Sequence, residues 1–330
     1  MKIYWNIDRI KKPLQNCAVA IGVFDGVHRG HQKILKTVIK QAQMLKKQSV
    51  VLTFYPHPDT IIHMTKHISP LLTSLEHRIR LFAKYNIDTV IILKFTEKLC
   101  NKKAEDFIRD IFNNKIKAKI VVVGTDWKFG KNTKGDIKTL KRFGKKLNFD
   151  VIGIKPVKVC GENCRSSAIR NLIKSGFLKK ADSLLGRRFS IMGDVGHRYG
   201  MGKKLGFPTA NINIHNEILP PQGVYSAMVR CMPEIKKSSN KYYNLPIYKT
   251  QSRAFYAVLS IGTRPTFAKS KKIEVEAHIF NIKKKLYGKT IEIIPIDFIR
   301  KQKKYKNEKA LIKAISKDVE IVKKISAGVY

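Results

Sequence analysis

The chain has 330 residues, room for two domains of ordinary size. Apolar residues make up 43% of it, which excludes a disordered chain, and no run reaches the ~18 consecutive apolar residues of a membrane span. Lysine and arginine number 66 against 24 acidic residues, for a formal charge of +42, but only 15 of the cations are arginine and the lysines are spread along the whole chain. Base readers and phosphate clamps lean on arginine's planar fork. The excess therefore reads as solvated surface, with no specific nucleic-acid partner expected.

In chain order, short β-branched runs occur at 17–24, 49–55, 88–95, 118–124 and 149–157. They are continuously apolar, as buried parallel strands are. Helix-length stretches with three- and four-residue apolar spacing separate them, among them residues 31–48 and 102–115. This predicts a doubly wound α/β sheet whose ligand sits at the carboxyl ends of the strands, beside the first strand's turn. Cys160 and Cys164 have no matching second pair, so zinc is not expected. Two short helices follow, at about 166–175 and 178–185, and the pattern changes near residue 186.

Beyond that point strand-like runs follow one another: 189–195, 223–230, 253–262, 272–280 and 289–299. Several alternate apolar with polar residues, the period of half-buried antiparallel strands, and together they predict a small closed barrel. Residues 232–252 are polar, carry two prolines and read mostly as an exposed loop. An amphipathic helix at about 307–325 ends the pattern. The predicted domains are 1–185 and 186–330. The five sparse cysteines and the lack of an apolar leader core predict a cytoplasmic protein with no membrane association.

Two segments carry chemistry on their own residue types. The first strand ends in Gly22-Val23-Phe24-Asp25-Gly26-Val27-His28-Arg29-Gly30-His31, and a helix follows. Glycine permits a sharp turn and close approach to a ligand, and a helix start offers unpaired N–H groups to phosphate. His28 and His31, three apart, can face one ligand. An ordinary glycine turn with two solvated histidines is the plain alternative. In the second half, Gly202 and Gly206 flank a loop able to wrap phosphates, and Thr209 and Asn211 are two apart on an extended segment. Their oxygens suit Mg²⁺. Glu276, on an alternating strand, would serve as a base if aimed into the barrel mouth. The strand alone does not separate it from Glu274 on the same face.

The first half resembles the HxGH nucleotidyltransferase superfamily, and most closely the prokaryotic FAD synthetases. The resemblance rests on the turn above, on Val51–Pro58, on Val123–Lys131 with Trp127 where Phe is usual, and on Arg165-Ser166-Ser167-Ala168-Ile169-Arg170. It implies a Rossmann-like domain in which His28 and His31 are catalytic and Gly22, Phe24, Asp25, Gly26, Gly30, Ser166, Ser167 and Arg170 bind the nucleotide. Residues 166–170 alone also read as a plain helix cap. The second half resembles riboflavin kinase through Gly206–Asn211, Gly223-Val224-Tyr225, Ile261–Phe267 and Leu286–Lys289. That register makes Glu276 the catalytic carboxylate, Thr209 and Asn211 the Mg²⁺ ligands, and Gly202 and Gly206 the nucleotide loop. Arg165, Arg198 and Ser260 depart from the family patterns.

Together the halves resemble the bifunctional prokaryotic riboflavin kinase/FAD synthetases. The resemblance implies phosphorylation of riboflavin to FMN, then adenylylation of FMN to FAD and pyrophosphate. ATP and Mg²⁺ are the implied co-substrate and cofactor, and flavin is substrate and product. A homo-oligomer is left open. Two rival readings are a nucleotidyltransferase with a binding-only barrel and a basic nucleic-acid-binding protein. The intact Thr209, Asn211 and Glu276 argue against the first, and the absence of a clustered cationic face against the second.

Overall fold

The structure, a computed structural model, describes residues 1–10, 12–62, 70–196, 205–237, 243–245, 253–263, 273–282 and 285–328. Contacts divide the chain into two units. One comprises Met1–Pro70, Leu75–Ala168 and Ile235–Lys249; the other comprises Leu71–Ser74, Ile169–Glu234 and Thr250–Tyr330.

The first unit is built on strands β1 Lys2–Tyr4, β2 Cys17–Ile21, β3 Ser49–Tyr55, β4 Thr89–Lys94, β5 Ala118–Gly124 and β6 Asp150–Ile154. They pair in parallel in the order β1-β4-β3-β2-β5-β6. The five predicted strands are present, and β1 adds a sixth. Side chains alternate between two cores. Cys17, Val19, Ile21, Val50 and Leu52 enter one; Ala18, Ala20, Val51 and Ile92 enter the other. Both faces are covered, which is why the strands read as unbroken apolar runs. Helix α1 Arg29–Leu45 buries Ile34, Leu35, Val38 and Ala42, the three- and four-residue spacing of one helical face. Helices α2 Pro58–Ile62 and α3 Leu75–Lys84 follow β3. A small ribbon, β7 Lys158–Val159 and β8 Glu162–Asn163, follows β6.

The second unit is a closed antiparallel barrel. Its strands are β9 Ile191–Gly196, β10 Ala210–Ile214, β11 Gly223–Cys231, β14 Ala254–Gly262, β15 Glu274–Ile279 and β16 Thr290–Arg300. Ala257, Leu259 and Ile261 on β14 pair with Ile279, Ala277 and Val275 on β15, and all six are buried as barrel lining. The helix Glu308–Ser326 covers part of the outer wall, packing Val319 and Val322 on Val224 and Val258. Arg300 fastens it, donating through Nε and Nη2 to the buried Asp318 at 2.9 and 2.7 Å.

Of the polar stretch 232–252, read mostly as an exposed loop, residues 238–242 and 246–252 lie outside the described residues. Its described parts include strands β12 Lys236–Lys237 and β13 Tyr243–Asn244, which the sequence reading did not give, and β13 pairs antiparallel with β1. Leu245, just beyond, is 1% exposed and packs in the core with Ile3, Phe82 and Val90. An edge strand as short as β1 leaves its backbone groups open, and this segment closes them. One buried leucine in a polar run is too weak a signal to read in sequence. Leu245→Ala should destabilise the first unit by about 2–5 kcal/mol, the range for a buried leucine. It should also speed hydrogen exchange at Ile3 and Tyr4 while leaving the barrel strands protected. Unchanged stability and exchange would show that the segment does not hold this edge.

Candidate functional site

The chain fills the sheet on one side of β2 through β3 and β4, then crosses to β5 and β6 on the other. The carboxyl end of β2 is therefore the topological switch point, where such sheets bind ligands. The glycine turn singled out in the sequence sits there, though it follows the second strand of the chain.

The turn is strained. Phe24 and Val27 have φ of 56° and 41°, and Gly26 has φ of 82°. Only the glycine adopts this region freely; each of the others costs roughly 1–3 kcal/mol. Hydrogen bonds to successive carbonyls hold the conformation. The Val23 carbonyl accepts from Thr53 Oγ1 at 3.1 Å and from Arg78 Nη1, which also reaches Thr53 Oγ1 at 3.3 Å. The Phe24 carbonyl accepts the Val27 N–H at 3.1 Å. Asp25 accepts from Ser166 Oγ and Val27 from Gln32 Nε2, both at 2.9 Å.

The product of this turn is a pair of rings. His28 caps α1 in an extended conformation, and His31 lies in the first turn. Their imidazoles stack, with centroids 3.7 Å apart and planes at 20°. Gly30 leaves room for the stack: a Cβ there would lie 3.1 Å from His28 Cε1, so the ring would have to give by a few tenths of an ångström. The Phe24 ring is 1% exposed, and it meets His31 at 5.3 Å and Phe82 of α3 at 5.6 Å, each edge to face. His31 Nδ1 is buried without a hydrogen-bond partner among the described residues. Burial first, then His28, then Arg78 hold the His31 pKa well below its ordinary value. His31 is thus a neutral N–H donor at neutral pH, suited to a developing negative charge.

Several sequence-predicted residues take a different part from the one expected. The Phe24 ring is core, so only its backbone can face a nucleotide. Gly22 packs against that ring, with a virtual Cβ 3.3 Å from it. The Ser166 hydroxyl gives its proton to the Asp25 carbonyl and so fastens the turn, where a phosphate donor was expected. Ser167 lies beside it at the start of the helix Ser166–Lys174, and Arg170 stands one turn further along that helix. Asp25 is buried within the turn. Trp127 stacks on Phe129 at 4.4 Å, keeping the aromatic character of the usual phenylalanine. Sequence reasoning missed Gln32, Thr53 and Arg78. For Arg78 a signal exists: it lies four residues before Phe82 on the apolar face of α3, where a cation needs a reason.

In the barrel, Asn211 of β10 is the direct partner of Glu276 on β15, and Ser260 of β14 is the partner of Glu276 on its other side. Directly opposed residues point to the same face with Cβ atoms about 5 Å apart. That face is the outer wall. Val275, Ala277 and Ile279 are buried, while Glu274, Glu276 and His278 are half-buried. Glu276 therefore does not point into the barrel mouth as expected; the two-residue period sends its neighbours inward instead. His278 Nδ1 donates to the Pro208 carbonyl at 2.8 Å, and its ring meets Phe207 at 5.7 Å, which fixes the chain just before Thr209. Gly206 turns that chain at φ 84°. Ser260 Oγ accepts from Gln302 Nε2 at 3.0 Å. Asn211 Oδ1 is buried with no hydrogen-bond partner among the described residues, a hard oxygen that fits a cation such as Mg²⁺. Gly202, Arg198 and residues 264–267 lie outside the described residues.

Comparison with known proteins finds a different family in each half of the chain. Residues 10–168 match the FAD synthetase family and residues 185–326 the riboflavin kinase family. Among curated relatives, the bifunctional riboflavin kinase/FMN adenylyltransferases of two Buchnera aphidicola strains are 34% and 35% identical, over 98% of this chain and 98% of theirs. The protein of the same name from Escherichia coli K12 is 29% identical over 96% of each chain. A solved structure described as a macrolide-efflux protein from Streptococcus pneumoniae superposes with a TM-score of 0.77 at 26% identity, covering 97% of this chain and 98% of that one. With both families matched in order and relatives aligned over nearly their whole length, the chain belongs to the bifunctional riboflavin kinase/FMN adenylyltransferases.

Proposed function

We propose that residues 186–330 phosphorylate riboflavin to FMN and that residues 1–185 join FMN to an adenylyl group from ATP, giving FAD and pyrophosphate. The chain's two activities follow from its family. The observation that carries their assignment to residues is that each unit holds its own preformed group. One is the stacked His28–His31 pair; the other is the Asn211–Glu276 pair.

In the kinase step, Glu276 takes the proton of the ribityl 5′-hydroxyl. The freed oxygen forms its bond to the γ-phosphorus as the bond to ADP breaks. Thr209 and Asn211 would hold Mg²⁺, which when bound neutralises charge on the nucleotide phosphates. The buried oxygen of Asn211, which has no partner among the described residues, supports this role. In the adenylyl step, an FMN phosphate oxygen attacks the α-phosphorus of ATP and pyrophosphate leaves. The N–H groups of His28, His31 and the start of α1 donate to the charge that builds during transfer. No protein nucleophile is required, because the incoming phosphate is one. Among the described residues, no helix is long and apolar enough to cross a membrane.

His31→Ala should lower FMN-to-FAD conversion by roughly 10²–10³-fold, the scale for one well-aimed donor, and leave riboflavin phosphorylation intact. Conversion at the parent rate would remove His31 from the mechanism. Glu276→Gln should cut FMN formation by about 10²-fold or more, whereas Glu274→Gln, two residues away on the same face, should have little effect. Steady-state phosphorylation by the two variants side by side decides; equal losses would mean that the wrong carboxylate is assigned. The charge of +42 is a solvated excess in this reading. Binding to DNA or RNA should be sequence-independent and fall steeply with salt, and tight selective binding at physiological salt would contradict it.

A further inference from the structure

We infer that Arg78 is a positioning residue for adenylyl transfer: from α3 it grips the Val23 carbonyl and sets the turn that presents His28 and His31. The inference rests on the assignment of those histidines to the FAD-forming step.

The guanidinium is among the largest fully buried side chains of the protein, at 1% exposure. A buried cation is retained only where hydrogen bonds compensate its lost hydration. Here Nη1 donates to the Val23 carbonyl and to Thr53 Oγ1, and Thr53 donates to the same carbonyl. Three groups from β2's turn, β3 and α3 thus meet at one atom. The next residue, Phe24, is the first of the two strained non-glycine positions. One helical turn beyond Arg78, Phe82 presses on the Phe24 ring, and that ring supports His31. Helix α3 therefore braces the site twice, through a hydrogen bond to the backbone and through ring packing. Strain of this kind persists only where the surroundings over-determine it.

Arg78 acts through its charge as well. The titratable and charged groups that act on His31 are His28, stacked on it from α1, and Arg78 from α3; the Phe24 ring adds packing without charge. Both influences favour the neutral imidazole, in the same direction as burial. Loss of the Arg78 charge should raise the His31 pKa toward its ordinary value of about 6.5. Since the neutral form is the donor, the acid limb of FAD formation should move to higher pH.

The test uses the full chain with supplied FMN and Mg·ATP, and riboflavin phosphorylation by the same preparation as the control for an intact protein. Arg78→Met should lower kcat for FAD formation by about 10²-fold, the scale of an ångström-level misplacement, and shift the acid limb upward. Arg78→Lys keeps the charge and loses the fork, so its acid limb should stay at the parent pH with kcat between the two. Thr53→Val should lower kcat without moving the limb. Arg78→Met with the parent kcat and pH profile would overturn the inference. If that variant loses the cooperative unfolding of its first unit, Arg78→Lys decides. A parent acid limb with reduced kcat upholds the inference; a shifted limb or a parent kcat overturns it. His31→Ala, run alongside, separates the two levels. Full activity there removes the histidine assignment itself, whereas its loss together with an unaltered Arg78→Met removes only the role of Arg78.

Discussion

The adenylyl-transfer site depends on a backbone that would not hold its shape alone. Phe24 and Val27 both sit at positive φ, and Val27 is β-branched, the residue type that resists this region most. Two such positions cost on the order of 2–6 kcal/mol together, a sizeable share of a domain's net stability. The fold meets that cost with directional bonds. Each carbonyl from Val23 to Asp25, and that of Val27, has a defined donor, drawn from β3, α3, the turn's own backbone, the helix at Ser166 and α1. Those elements are far apart in sequence and meet only because the parallel sheet brings the ends of β2 and β3 together. The histidine stack is a consequence, since His28 and His31 face each other only when the chain enters α1 along this path.

The barrel reaches its chemistry by a different constraint. Nothing there is strained at the reacting residues; what matters is register. Asn211 opposes Glu276, and a slip of one residue on either strand would turn one of them to the inner face. The alternation of Val275, Ala277 and Ile279 with Glu274, Glu276 and His278 makes such a slip costly, because it would bury three polar residues in place of three apolar ones. The core thus fixes the position of the carboxylate without touching it. His278, on the same face, extends the control to the preceding loop by holding the Pro208 carbonyl.

These two modes explain what could be read in the sequence. Period-two alternation is local, so five of the six barrel strands and the shared face of Glu274 and Glu276 were legible, whereas the short β10 was not among the strand-like runs. The unbroken apolar runs of β2 to β6 were legible too, because burial on both faces leaves a plain signature. The orientation of that shared face was not, since inside and outside of a barrel are decided by closure. The turn at 22–31 was found by its glycines and histidines, but its supports were not. Thr53 is one threonine within an apolar strand, and Ser166 reads equally as a cap or a phosphate ligand. Residues 108–116 lie in a stretch expected to be helical, yet they form a π-helix after Ala104–Phe107. An apolar spacing of three and four cannot separate the two. Strand β1 and the ribbon that closes its edge were missed because three residues and one leucine carry too little pattern.

The lopsided cation usage follows the same division between surface and support. Among the described residues no lysine is buried, whereas Arg78 and Arg80 are. Arg300 reaches the buried Asp318 with a bidentate fork, and Arg230 approaches the buried Glu292 at 3.7 Å. Lysine's compact, strongly hydrated charge is cheap on a solvated face and expensive inside. A composition driven toward lysine can therefore spread over the surface at little cost to the fold. It stops at positions where a cation must lose its water and still satisfy several acceptors. Arg78 is such a position, because its Nη1 there serves a carbonyl and a hydroxyl from different elements. In a chain with 15 arginines among 66 cations, a guanidinium at 1% exposure beneath the active turn marks where geometry prevailed over compositional drift.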